Sequence, residues 1–385
     1  MMGDIERGIW QDGEIERLRG RGGEIEKMMR GDLLGLKAYQ PIIPPEVLSE
    51  RAGVPFEGVI KLDGNENPYG CSPKVGRALA GYPFYHIYPD PEQSELRKAL
   101  AGYVGVDAAH IVAGAGSDEL IDLILRLFLE PGDGVINCVP TFGMYPFCTE
   151  ICSGKVIDVP RDKSYAIDIA GIKEAVGEKN EKTKIIFIAS PNNPTGNTTP
   201  QRDILELVNL GKVVVIDEAY YEFSGTTIAP LVSKYENLIV LRSFSKWAGL
   251  AGLRIGYGIF PTLIAEQLLK IKQPYNINLA AQVALQESLN DIEYLQDTVQ
   301  KIISERERLF QRLGELKFLK PFPSQANFIL CAVVKGNARL IYEGLQKKGI
   351  FLRYFDTPLL RNSLRISMGK PEHTDALIEA LKEMC

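Results

Sequence analysis

Lys246 stands in Ser243-Phe244-Ser245-Lys246-Trp247, downstream of Asp217 in Val213-Val214-Val215-Ile216-Asp217-Glu218-Ala219-Tyr220 and shortly before Arg254. An amine condenses with an aldehyde to an imine, and once a second amine displaces it, it can move a proton from a neighbouring carbon. A carboxylate at the end of a strand can keep a pyridine nitrogen protonated, so that the ring draws off negative charge developing beside it. Arg254, with Ser243 and Ser245, offers donors for a phosphate. Singly, these residues have ordinary readings. Most lysines are solvated, and an Asp after a strand is often a cap or turn carboxylate. Together they describe a pocket for a phosphorylated aromatic aldehyde, which is what pyridoxal 5'-phosphate is.

Three further fragments fit that pocket. Gly114-Ala115-Gly116-Ser117-Asp118-Glu119 follows an apolar run and opens an apolar helix, so its backbone N–H groups and positive helix end suit a phosphate. It lacks both the full GxGxxG and the GxxxxGK[ST] patterns, which lowers a dinucleotide fold or a P-loop. Ser190-Pro191-Asn192-Asn193-Pro194-Thr195-Gly196 is turn chemistry that could aim the Asn193 amide at a ring oxygen, and Tyr220, three residues past Asp217, could turn its phenol to the same atom. Each fragment alone is an ordinary turn; only the set is specific.

The elements that must position them are legible as β-α alternation from about residue 63 to 290. Short β-branched runs at Ile111 to Ala113, Val135 to Cys138, Ile185 to Ala189, Val213 to Ile216 and Leu238 to Leu241 predict buried parallel strands. Helical stretches such as Asp118 to Leu129 and Gln201 to Val208 lie between them, which predicts an α/β doubly wound sheet with ligand at the strand carboxyl ends. From about residue 291 the pattern changes to a long charged helix through Arg312, strands near Asn327 to Val333 and Ser363 to Ser367, and a closing helix from about Glu372. The expected organisation is an N-terminal extension over 1–32, an arm over 33–62 that joins the smaller domain, a large cofactor domain over 63–290 and a small α+β domain over 291–385, with a cleft between the two domains.

Composition bounds the alternatives. A chain of 385 residues with 45% hydrophobic content can bury a large core, and a net charge of -5 argues against a broad nucleic-acid surface. The six cysteines, at 71, 138, 148, 152, 331 and 385, show no metal-ligand spacing and read as reduced thiols. His86, His110 and His373 give no paired-histidine zinc signature, so no metal is expected. No apolar run is long enough to span a bilayer, and the acidic N-terminus matches neither a secretory signal nor a transit peptide, so a cytoplasmic location is expected. Residues 3 to 27 repeat Gly-Asp-Ile-Glu-Arg, Gly-Glu-Ile-Glu-Arg and Gly-Glu-Ile-Glu-Lys at ten-residue spacing, too glycine-rich and too poor in apolar surface for a core; they read as a mobile appendage.

From about Leu36 onward the chain resembles the fold type I pyridoxal phosphate aminotransferases, and within them the histidinol-phosphate aminotransferase family. The resemblance is carried by Leu62-Asp63-Gly64-Asn65-Glu66-Asn67-Pro68-Tyr69, Tyr88-Pro89-Asp90, Ser190 to Gly196, Asp217 to Tyr220, and Ser243 to Arg254. It implies a mostly parallel seven-stranded sheet, with Lys246 covalently bound to the cofactor, Asp217 on the pyridine nitrogen, and Tyr220 and Asn193 on the ring oxygen. Phe142 would stack on the ring. Ser117 and Asp118, Ser243, Ser245 and Arg254 would hold the phosphate, joined by Tyr88 of the partner subunit in a homodimer with shared sites. Arg365 and Arg353 would meet the substrate anions, with Tyr69, Asn327 and the partner's Tyr275 as further substrate contacts. The implied reaction is ping-pong transfer of an amino group from glutamate, leaving 2-oxoglutarate, to imidazole acetol phosphate, giving histidinol phosphate on the route to histidine. Threonine-phosphate decarboxylase and aromatic amino acid aminotransferase are the alternative activities. A non-catalytic binding protein would be expected to lack Lys246.

Overall fold

The computed structural model describes residues 23, 25–177, 182–355 and 357–384. Most of the repeated leader, and Cys385, lie outside the described residues. The chain divides into a unit Met1–Tyr39 and a unit Gln40–Cys385. In the first, the described residues form two single-turn helices, Ile25–Met28 and Gly31–Leu34, neither with a buried residue.

The second unit contains two sheets. Strand β1 is Ile60–Leu62, β2 Ile111–Gly114, β3 Gly134–Val139, β4 Lys155–Pro160, β5 Thr183–Ala189, β6 Val213–Asp217, β7 Leu238–Ser243 and β8 Gly256–Ile259. Strands β9 (Leu319–Pro321), β10 (Phe328–Val333), β11 (Ile350–Phe355) and β12 (Ser363–Ser367) follow. The larger sheet runs β2-β8-β7-β6-β5-β3-β4, parallel throughout except that β8 is antiparallel to both neighbours. The smaller runs β1-β11-β12-β10-β9, and β1 enters it parallel to β11.

The continuous apolar runs are explained by burial on both faces. Ile186, Ile188, Val214, Ile216 and Val240 point into one core cluster, while the alternating Ile185, Phe187, Val215, Ile239 and Leu241 point into another. Each of these side chains is essentially solvent-free, and each such burial contributes about 1.5–3 kcal/mol. Helix α1 (Ser117–Phe128) and helix α2 (Met144–Ile151) cover the second cluster with Leu120, Ile121, Ile124 and Tyr145. Beside the smaller sheet, helix α3 (Ile292–Gly314) and the closing helix α4 (Pro371–Lys382) are joined by Arg308 and Arg312, both on Asp375.

Register decides what meets at the carboxyl edge. Ala189, Asp217 and Leu241 are lateral neighbours across β5, β6 and β7, so the segments beginning at Ser190 and Glu218 leave side by side, while β7 runs on to Ser243. Because β8 runs backwards, its first residue, Gly256, pairs with both Ser243 and Gly114. That one antiparallel strand brings the 114–117 loop, the 243–245 loop and Arg254 together. A Cβ on Gly256 would come within 2.6 Å of the Ser117 nitrogen and 2.8 Å of the Gly116 carbonyl carbon, both main-chain atoms with no room to move. Gly256→Ala should therefore lower stability by about 1–3 kcal/mol, read as a fall in the urea midpoint. An unchanged midpoint would refute this packing.

Candidate active site

Asp217 closes the central strand β6 and is buried. The Tyr145 hydroxyl donates to Oδ2 at 2.7 Å and the Ala219 N–H to Oδ1 at 3.0 Å. Burial nevertheless pushes its carboxyl up to about 6, since these two hydrogen bonds, which favour the ionised form, only partly offset desolvation; Asp118 and Glu218 add repulsion. Such an acid is poised to accept a cationic N–H partner, which would restore its charge. Tyr145 is held for this task by a parallel stack on Phe187, centroids 4.8 Å apart. Phe142, one turn earlier, meets Tyr145 edge-on at 5.6 Å.

Lys246 emerges from the loop after β7. Its amine donates to the Gly64 carbonyl at 3.2 Å, and among the described residues no carboxylate lies within ion-pair distance of it. Burial first, then the positive charge of Arg365, brings it down to about 8. A lysine in that range spends an appreciable fraction of time as a neutral nucleophile at physiological pH.

The Gly114–Ser117 loop forms a cup. Helix α1 begins without a side-chain cap, its N-cap position being Gly116 at φ 79, so the N–H groups of its first turn are available to an anion. A Cβ at Gly116 would collide with the Arg254 guanidinium, so that glycine opens the cradle as well as supplying the left-handed turn. Arg254 is half-exposed, held by Asp118 at 2.7 Å. Ser243 and Ser245 are buried at the same place, the Ser245 N–H donating to Ser243 Oγ at 3.1 Å. Loop N–H groups, two hydroxyls and a guanidinium around a glycine-lined hollow suit a phosphate, and the acid and amine nearby suit the ring and aldehyde of pyridoxal phosphate.

Tyr220 is buried, and its hydroxyl accepts a hydrogen bond from Asn65 Nδ2 at 2.9 Å. Asn193 Oδ1 accepts from Arg365 Nη1 at 2.7 Å, which leaves the Asn193 NH2 as its donor toward a ligand. Arg365 is buried in β12, donates to the Asp63 carbonyl, and lies over the Phe328 ring at 5.4 Å. Arg353 of β11 is its direct cross-strand partner. Opposed residues of antiparallel strands share a face, so two guanidinium groups are set on one side of the small sheet, Arg353 Nη2 donating to the Gln40 carbonyl at 3.2 Å.

Of the remaining expected residues, Asn327 joins this cluster through Asn65. Tyr88 and Tyr275 stack on each other at 4.4 Å, both exposed. Tyr69 is flanked by the ammonium groups of Lys301 and Lys370 at 5.8 and 5.9 Å, in a cleft lined by Glu305, Arg308 and Pro371. Asn327 is buried and donates to the Asn65 carbonyl at 2.9 Å. Sequence reasoning missed Tyr145, although it lies one helical turn beyond Phe142, and gave Asn65 no role.

The larger sheet and the buried lysine-acid-phosphate arrangement define a pyridoxal phosphate transferase, and comparison with known proteins agrees: residues 57–381 match the model for aminotransferase class I and II, and the chain belongs to that family. Within it, the chain is 50% identical to the histidinol-phosphate aminotransferase of Dehalococcoides mccartyi, over 94% of this chain and 99% of that one. It is 48% identical to histidinol-phosphate aminotransferase 1, chloroplastic, of Arabidopsis thaliana, over 93% and 86%. Its structure resembles that of histidinol-phosphate aminotransferase from Sinorhizobium meliloti in complex with pyridoxal-5'-phosphate, with a TM-score of 0.82 and 28% identity over 93% of this chain and 98% of that one.

The raised Asp217 carboxyl has a measurable sign. Its proton is bound more tightly in the folded than in the unfolded state, whose ordinary value is 3.8, so the stability it contributes is complete below about pH 3.8 and is lost as pH rises to about 6. In cofactor-free protein, Asp217→Asn should gain on the wild type by up to about 3 kcal/mol between pH 4 and pH 8. Urea unfolding of both proteins at the two pH values checks this; parallel curves would show that Asp217 is not held high.

Proposed function

We propose that this chain is a histidinol-phosphate aminotransferase that moves an amino group between glutamate and imidazole acetol phosphate, yielding histidinol phosphate and 2-oxoglutarate, and that it works in the cytoplasm as a homodimer. The observation that carries the substrate assignment is the opposed pair Arg353 and Arg365, on the same side as the buried amine whose proton affinity Arg365 depresses. Two guanidinium groups suit a phosphate in one half-reaction and a carboxylate in the other.

Bound pyridoxal phosphate supplies an electrophilic aldehyde and a ring that delocalises the electron pair released at the substrate α-carbon. Lys246 Nζ would hold that aldehyde carbon until the substrate amine displaces it, and as a free neutral amine it would accept the α-proton and return it to the former aldehyde carbon, across the transferred nitrogen. Asp217, buried and oriented by Tyr145 and the Ala219 N–H, keeps the pyridine nitrogen protonated. Tyr220 and the Asn193 NH2 would donate to the ring oxygen, and Phe142 would pack on the ring. The backbone of Ser117 and Asp118, with Ser243, Ser245 and Arg254, would hold the phosphate. Arg365 orients the substrate anion against Lys246, helped by Asn193.

Residues 63–290 serve as the cofactor domain in this reading, and 291–385 with the 33–62 arm grip the substrate. Exposed Phe84, Tyr85, Ile87, Tyr88 and Tyr275 make an apolar, largely aromatic surface suited to a second copy of the chain, through which Tyr88 of the partner subunit would reach the phosphate cup. Tyr69, Asn327 and the partner's Tyr275 remain candidate substrate contacts.

The test is the visible absorbance of cofactor-loaded protein before and after histidinol phosphate, with products identified by mass spectrometry. Loss of the band with formation of imidazole acetol phosphate is expected; carbon dioxide released from threonine phosphate instead would assign the decarboxylase. Lys246→Ala should lose turnover entirely while still binding the cofactor noncovalently, seen by equilibrium dialysis. Arg353→Ala should raise KM for histidinol phosphate about 10- to 100-fold, the worth of one charge-assisted hydrogen bond, and leave glutamate nearly unchanged. Arg365→Ala should impair both substrates. Steady-state kinetics separates the two patterns, and equal loss on both substrates in both variants would refute the division of labour.

A further inference from the structure

The segment Asp63–Asn67 bonds to Arg365, Lys246 and Tyr220. The Asp63 carbonyl accepts from Arg365, the Gly64 carbonyl from Lys246 and the Trp247 carbonyl from Asn67 Nδ2, the last at 2.7 Å. At its centre Asn65 is buried, 1% exposed, in a left-handed conformation at φ 54, one that asparagine tolerates better than most side chains do. Its main chain is held at both ends: the N–H donates to Ser367 Oγ at 2.9 Å, and the carbonyl accepts from Asn327 Nδ2 at 2.9 Å. Its side chain is held as well. Ser367 Oγ, having accepted that N–H, donates its own proton to Asn65 Oδ1 at 2.7 Å. This turns the Asn65 NH2 toward Tyr220, whose oxygen accepts from it at 2.9 Å.

We propose that Asn65 is a positioning residue that fixes the Tyr220 hydroxyl as a donor toward the cofactor's ring oxygen, anchored through Ser367 and Asn327 to the small sheet that carries the substrate arginines. An amide NH2 can only donate, so the Tyr220 proton cannot be directed at Asn65 and is turned to another acceptor. Ser367 lies two residues beyond Arg365 on β12, and Asn327 directly precedes β10. A shift of the substrate-gripping strands is therefore felt at the Tyr220 hydroxyl through two hydrogen bonds. The inference rests on the pyridoxal phosphate reading above.

The experiment follows the pH midpoint of the visible absorbance of cofactor-loaded protein in wild type, Asn65→Gly, Tyr220→Phe and the double variant. Glycine keeps the left-handed backbone and both of its main-chain hydrogen bonds, changes no charge, and removes only the amide. A donor on the ring oxygen withdraws the electron pair that otherwise holds a proton on the nitrogen beside it. Losing the donor should raise the midpoint by about one pH unit. Asn65→Gly is expected to produce that rise in the wild-type background and little or none in the Tyr220→Phe background. Should the glycine variant fail to fold, Asn65→Asp preserves the shape; its added charge acts in both backgrounds, and the difference between the two shifts again isolates the coupling. Shifts that are equal in the two backgrounds, or no shift in either, overturn the proposal while leaving the cofactor reading intact. Wild-type protein that develops no visible band with pyridoxal phosphate overturns both.

Discussion

Removal of water from the carboxyl edge of β6 and β7 is the condition on which the site depends. The same desolvation lowers the proton affinity of Lys246 and raises that of Asp217, moving a strong base and a weak base toward the same pH range from opposite sides. In water, Lys246 would stay protonated at neutral pH, while Asp217 would be ionised with or without a cationic partner. The energy for holding them there comes from the two apolar clusters on either face of the sheet, whose burial far exceeds the cost of two misplaced charges.

The two sheets divide the recognition problem by kind. The larger one presents rigid strand ends, so the start of the Gly114–Ser117 loop and Asp217 are fixed to within the precision of a hydrogen-bonded ladder. The smaller presents two like charges on adjacent strands, Arg353 opposite Arg365. Asp63–Asn67 spans both, since its carbonyls and side chains bond to Lys246, Arg365, Tyr220 and the Trp247 carbonyl. Within this stretch the backbone supplies much of the bonding, which is why the side-chain identities alone say little about what it does.

Legibility in the sequence followed the locality of the physics. Runs such as Val213 to Ile216 ending in Asp217 announce a strand and its terminal acid together, because burial on both faces removes any polar interruption. β8 was not legible: Gly256-Tyr257-Gly258-Ile259 has two glycines and poor intrinsic strand preference, and it is a strand because β2 and β7 pair with it. Tyr145 sits on the apolar face of a helix and reads as core; its function lies in a hydroxyl pointed at a residue of another strand. Asn65 depends on partners at 220, 327 and 367, which no window of sequence contains. The arginine pair needed the register of β11 against β12, which a slip of one residue would have split onto opposite faces.

The cradle proposed for the phosphate is assembled from the 114–117 loop, Ser243, Ser245 and Arg254, segments separated in sequence by strands β3 to β6 and joined only when Gly256 pairs on both sides. No shorter piece of the chain contains the anion site, and the loop-closure entropy of the whole parallel sheet must be overcome before a phosphate has anywhere to bind. The cofactor can therefore stabilise the finished protein by mass action, but it cannot act as a template for folding. A nascent or partly folded chain is blind to it, and the cell's supply of cofactor protects only molecules that have already completed the sheet.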